Sequence, residues 1–292
     1  MRQQRQKKKN HLKNRKNRIP MFCIFFPILL DLQSNGNVQI EKSKYKSENL
    51  SEFNSELIKL RKIDSINIIY VSGQDSFATS LFIFDLEGKI IKKIEYLPNS
   101  KTVQNLYTYR WENMFLKTQI QTSFFKDQVQ NLQRYEYEYS FPKITLKEIN
   151  EKNKVVSEKV REYSKVDSTL ILETNYSIVK GRRKILNTVK YTYPDDRSII
   201  ALYHDENKKL GLTSINEKSQ FLNAISIYDI LPNGDIENMR MLFYDKEGNL
   251  IKRMNNRNST TSVITQIYKD GLLHEVSSST GKYIYRYAFR RN

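Results

Sequence analysis

Cysteine is almost missing from this sequence: one residue in 292, Cys23. It lies inside an apolar run near the N-terminus, so removal of that run would leave no thiol. A disulfide framework, a zinc site built on cysteine and a cysteine nucleophile would then be excluded, and the fold must rest on packing. Histidine is nearly as scarce. His11, His204 and His274 are far apart, and none falls in an H-E-x-x-H or similar ligand spacing, which argues against a zinc hydrolase. No G-x-S-x-G elbow, phosphate loop or dinucleotide fingerprint occurs, so no cofactor is implied. Glycine (9) and proline (6) are few, while tyrosine (19) and phenylalanine (14) are plentiful. Disordered chains have the opposite bias. No apolar run approaches the roughly 20 residues of a spanning helix.

Negative charge is the minority sign. The formal net charge is +17, but residues 1–20 carry nine Lys and Arg and no acid. The rest of the chain holds 40 basic and 32 acidic side chains. Such a balance, spread over many short segments, describes a solvated surface; a nucleic-acid footprint would be clustered.

Residues 1–36 have the order of a secretory signal. A basic stretch precedes Ile19 to Leu30, which is largely apolar, and Ser34-Asn35-Gly36 supplies small residues for cleavage. Met21 is an alternative start, although starting there removes every positive charge ahead of the apolar run. Residues 37–62 read as a polar linker and one short amphipathic helix. Leu50, Phe53, Leu57 and Leu60 form its apolar stripe, with Ser51 as the candidate cap. Residues 63–292 read as an antiparallel β hairpin-repeat domain: about sixteen to eighteen short strands separated by turn signals. In this reading Asp205-Glu206-Asn207 is a loop between strands at Ile199–Tyr203 and Phe221–Ile230. The fold class is all-β, an antiparallel meander forming a large twisted or curled sheet with one short N-terminal helix. Lys282–Phe289 is a candidate edge strand, protected by Arg290 and Arg291.

One unit recurs: an aromatic residue, an acidic turn ending in glycine, then an aliphatic strand. The copies are Phe84-Asp85-Leu86-Glu87-Gly88, Tyr244-Asp245-Lys246-Glu247-Gly248 and Tyr268-Lys269-Asp270-Gly271. Glycine at the turn permits positive φ, and the preceding aromatic packs across the strand pair. Tyr244-Asp245-x-x-Gly248-Asn249-Leu250 resembles the Y-D-x-x-G-N/R-L core of YD (Rhs-type) repeats, and Phe84-Asp85-x-x-Gly88-Lys89-Ile90 is a looser copy. The resemblance implies β-hairpins stacked into a long sheet or shell on a secreted or surface protein, with repeats that are not themselves catalytic. From Leu132 to Asn238 the motif glycine is almost absent.

Chemistry-bearing residues are few. Asp195-Asp196, and Glu136 with Glu138, are the acid pairs a glycosidase would need to hold across a sugar. Asp229-x-x-x-Asn233-x-Asp235-x-Glu237 fails the spacing of a calcium loop. Lys180 to Lys184 is a basic hairpin tip. Tyr135, Tyr137 and Tyr139 share one face of a strand and are the candidate ligand-facing aromatics, or simply core.

The reading that follows is an exported, non-enzymatic β-repeat protein of the bacterial envelope or exterior. It would bind an unidentified protein, glycan or lipid partner. Three alternatives stand beside it. They are a carbohydrate-active envelope enzyme using an acid pair in a sheet cleft, an outer-membrane β-barrel, and a cytosolic nucleic-acid binder using residues 2–18 as a basic arm.

Overall fold

The structure, a computed structural model, describes residues 53–290 except 221, 258 and 259. The signal-like segment, Leu50 and the proposed cap Ser51 lie outside the described residues. A six-residue helix, α1 (Ser55–Leu60), precedes eighteen strands. The first nine are β1 (Ile63–Ser72), β2 (Asp75–Phe84), β3 (Ile90–Tyr96), β4 (Val103–Glu112), β5 (Phe115–Phe125), β6 (Gln128–Ser140), β7 (Lys143–Ile149), β8 (Val155–Tyr163) and β9 (Leu170–Val179). The others are β10 (Arg182–Thr192), β11 (Ser198–Asp205), β12 (Leu210–Lys218), β13 (Ala224–Ile230), β14 (Ile236–Tyr244), β15 (Leu250–Arg257), β16 (Thr260–Lys269), β17 (Leu272–Ser278) and β18 (Gly281–Phe289).

Each strand pairs antiparallel with the next, as a meander should, and β1 also pairs with β18. The sheet is therefore a closed barrel, not a twisted or curled sheet with free edges. Closure joins residues at opposite ends of the domain, with Ile66 opposite Tyr287 and Tyr70 opposite Tyr283. Whether first and last strands meet depends on the tilt and stagger accumulated over every pair, which no local pattern encodes. β18 has no free edge, and Arg290 helps lock the seam. Its backbone N–H donates to the Lys62 carbonyl at 2.8 Å, and its guanidinium donates to the carbonyls of Phe84 and Asp85.

The helix differs from its expected stripe. Asn54, not Ser51, caps it, its side chain accepting from the Leu57 N–H at 3.2 Å. Phe53 and Ile58 are buried, whereas Leu60 is 77% exposed. The turn is too short for a full stripe, and Leu60 projects away from the sheet.

The recurrent unit forms the same turn wherever it occurs in full. The N–H of Gly88 donates to the Asp85 carbonyl at 3.1 Å, and that of Gly248 to the Asp245 carbonyl at 3.2 Å. Gly88 and Gly248 have φ of 76° and 82°, where glycine alone is unstrained. Two further turns share this geometry without glycine. Asn153 at φ 57° and Lys208 at φ 65° take its place, and the side chains of Asn150 and Asp205 accept from the turn N–H groups. The unit thus continues through the stretch where its glycine disappears. β12 adds a strand between the Asp205 to Asn207 turn and β13; Leu210-Gly211-Leu212-Thr213-Ser214 has little bulk, and Ser214 is buried against Asp229.

Candidate functional site

Side chains alternate across each strand, so the pairing register carries one face around the whole barrel. Ile66 opposes Phe82, which opposes Lys93, which opposes Tyr107 and then Gln121 and Gln133. Further round, Tyr139, Ile144, Arg161, Glu173 and Val189 follow in register. Most buried side chains lie on this face, including Ile66, Phe82, Tyr137, Glu173, Ile225 and Tyr285. It is the inner face.

The interior is divided along its length. At the end where β1 begins and β18 finishes it is apolar and aromatic: Phe84, Tyr109, Tyr139, Tyr191, Tyr244 and Tyr285 belong to three local clusters there. Phe53 packs edge-on against Phe82, Phe84 and Tyr285, with ring centroids 5.1, 5.9 and 6.2 Å apart. α1 rests on the turns of this end, where Lys59 pairs with Glu87 at 2.6 Å and Arg61 donates to the Asp270 carbonyl.

Farther along, the same inner face turns polar. Glu95 lies 2.7 Å from Lys93 and accepts from Asn105 and Tyr107 at 3.0 and 3.2 Å. Glu148 accepts from Gln133 and Ser157. The fully buried Glu173 is bracketed by Lys159 at 3.2 Å and Arg161 at 2.9 Å. Asp229 takes Ser214, Asn238 and Arg240 at 2.8, 3.1 and 3.1 Å. Burial opposes ionisation of Glu173, but Lys159 and Arg161 together outweigh it and hold the carboxyl below the usual range. Burial and the Glu95 charge push the Tyr107 phenol up to about 12.

Tyr135, Tyr137 and Tyr139 all project inward. Tyr137 is buried, Tyr139 packs on Phe115 with centroids 4.7 Å apart, and the Tyr135 hydroxyl donates to Gln133 at 3.2 Å. The candidate acids are not brought together. Glu136 and Glu138 point outward and pair with Arg134 and Lys147. Asp195 is exposed and accepts from the Arg197 N–H in its turn. Asp229 faces the interior while Asp235 sits on an exposed turn bonded to Asn233. Among the described residues no three His, Cys, Asp or Glu side chains converge on a metal-sized site. The basic tip is partly neutralised, Arg183 by Glu158 and Lys184 by Glu206, each at 2.6 Å.

The interior carboxylates sit in separate hydrogen-bonded groups, each with its own partners. That arrangement offers charge and hydrogen bonds over a long surface rather than a facing acid pair. Sequence reasoning singled out the aromatic ladder and missed the polar stations. Their signal was present: β5 and β14 set Lys117, Gln119 and Gln121, and Asn238 and Arg240, at alternate positions of one face, a pattern that suits a barrel with a polar interior.

No known family model matches this sequence, and no characterised protein matches it by sequence. Among solved structures, a porin-like protein from Bacteroides uniformis aligns at TM-score 0.43 and 10% identity, over 85% of this chain and 100% of that one. A porin-like protein from Bacteroides vulgatus aligns at 0.32 and 12%, over 76% and 97%. TcdB2-TccC3 aligns at 0.30 and 12%, over 84% of this chain and 16% of that one. At TM-scores this low the likeness establishes neither a shared fold nor a shared role.

Proposed function

We propose that this protein is an exported, non-enzymatic hairpin-repeat barrel of the bacterial envelope or exterior, immersed in water. It holds a protein, glycan or lipid partner on its polar interior. The observation that carries the reading is the distribution of charge over both faces. The interior is lined by paired charges and amides. The exterior also carries charges well inside the strands: Arg110, Glu136, Lys147 and Glu158, with the neutral Thr118 between the first two, stand in register across five adjacent strands. Lys190 and Arg286 lie within β10 and β18. A lipid-facing barrel needs an uninterrupted apolar band about 25 Å tall. The signal-like order of residues 1–36 supports export, and the recurring turn supports a YD-like repeat origin.

Closure into eighteen strands also favours a second reading, a membrane-embedded barrel. Fractionation of the native host, with mass spectrometry of the mature N-terminus, separates the readings. Cleavage near Ser34 with protein outside the cytosol and soluble without detergent supports the proposal. Recovery only in detergent favours the membrane barrel. An intact Met1 in the cytosol refutes export and returns the basic arm to consideration.

A further inference from the structure

The interior matches its cations with carboxylates at almost every station. Lys93 has Glu95 at 2.7 Å, Lys117 has Glu112 at 3.3 Å, and Arg240 has Asp229 at 3.1 Å. Lys159 and Arg161 share Glu173. Arg253 is different. It lies on the inner face of β15, opposite Leu242 of β14 and Ile264 of β16. Among the described residues no carboxylate pairs with it, and its Nε is shielded from solvent with no acceptor. Its charge is close enough to be felt by the buried Tyr244 phenol. A partly buried guanidinium without a counter-charge is destabilising unless something completes it.

No neighbouring carboxylate is free to neutralise it. Asp229, on the same face two strands away, already accepts from Ser214, Asn238 and Arg240. Asn255 and Arg240 oppose each other one step along the same face, diagonal to Arg253 and within reach of long side chains. The Nε of Arg240 and Oδ1 of Asn255 also lack partners. On β16, the Gln266 side-chain oxygen accepts from the Tyr268 hydroxyl at 2.9 Å, which leaves its amide NH2 as a donor. Two guanidinium groups face one carboxylate here, so the station is net positive, and the unpartnered Asn255 Oδ1 is neutral and supplies no counter-charge.

We propose that Arg253, with Arg240 beside it and the Gln266 amide, binds a small oxyanion, a carboxylate or a phosphate, inside the barrel. A guanidinium fork matches the paired oxygens of either group. The site lies where the aromatic end gives way to the polar stations, so a bound anion would sit against the phenols of Tyr244 and Tyr268. The proposal rests on the interior being open to ligands, as the functional reading requires.

The test is calorimetric titration of the purified protein with inorganic phosphate and with succinate, against chloride at matched ionic strength. One-to-one binding of phosphate or succinate beyond chloride is expected, and which of the two binds identifies the group. Arg253→Gln should weaken it at least tenfold, and Lys252→Gln, altering the outward neighbour, should leave it unchanged. Should Arg253→Gln fail to fold, Arg253→Lys decides: it keeps the charge but loses the fork, and an unchanged affinity overturns the proposal. Absence of binding by the unaltered protein also overturns it. Interior access is read separately by thiol labelling of Gln121→Cys in a Cys23→Ser background. Labelling without anion binding sinks the site alone, and no labelling sinks the open interior as well.

Discussion

Replacing Gly88 by alanine tests whether α1 seals the aromatic end of the barrel. Gly88 has φ 76°, and a Cβ added there would overlap the Ser55 carbonyl oxygen and lie 3.0 Å from the Lys59 nitrogen. Both obstacles are helix backbone, so they yield only if α1 moves. Gly234 provides the control: its φ is 91°, and nothing lies within 4 Å of an added Cβ. Gly234→Ala should lose only the left-handed backbone term, about 1–2 kcal/mol. Gly88→Ala carries the same term and also displaces Phe53 and Ile58, whose burial contributes about 1.5–3 kcal/mol each. With partial relaxation the expected loss is roughly 4 kcal/mol, so the two variants should differ by about 2–3 kcal/mol. Urea unfolding can be followed by the single tryptophan, Trp111, whose indole N–H donates to the Ile90 carbonyl at 2.7 Å, next to the Gly88 turn. Equal losses in the two variants would refute the contact between α1 and this turn. They would also remove the reason for treating the aromatic end as sealed.

Two further outcomes follow from the interior. Glu173→Gln leaves Lys159 and Arg161 without their shared carboxylate and should lower stability by about 3 kcal/mol, while Glu138→Gln on the exposed outer face should lose less than about 1 kcal/mol. Because the native carboxyl of Glu173 is depressed, its contribution is complete above the unfolded value of about 4.3 and is lost as pH falls through the native one. Unfolding midpoints followed downward from pH 7 should show that loss setting in below about pH 4.3 in the parent and not in Glu173→Gln. At the alkaline side, burial raises the phenols of Tyr107 and Tyr268 to about 12. Folded protein resists their ionisation, so stability should fall as pH rises above the ordinary tyrosine value of about 10. A spectrophotometric titration in which all tyrosines ionise near that value while the barrel stays folded would contradict their burial.

Much of the architecture was legible because antiparallel hairpins are local objects. An alternating run such as Arg134 to Phe141 declares a strand and two faces. A turn such as Asp245 to Gly248 declares a reversal through a positive φ and a short hydrogen bond. β12 escaped because its inward positions are filled by Ser214 and Asn216, whose partners Asp229 and Ile227 lie on another strand. The reversals at Asn153 and Lys208 are legible as turns, but their kinship to the glycine unit is not, because a side-chain cap from Asn150 or Asp205 substitutes for glycine. Polar stations are hidden for the same reason as β12. Glu173 looks like any strand acid until β8 places Lys159 and Arg161 beside it.

The sequence by itself determined the all-β class, the meander order, the short helix before it, and the aromatic side of each strand, since all of these depend on neighbours a few residues apart. Only the tertiary structure decided that β1 meets β18. Closure in turn made one face an interior, placed Glu173 in it with two cations, and left Arg253 there with none. Those outcomes depend on stagger summed over eighteen strands, and a small change in tilt at each pairing is invisible locally yet settles whether the ends of the sheet coincide.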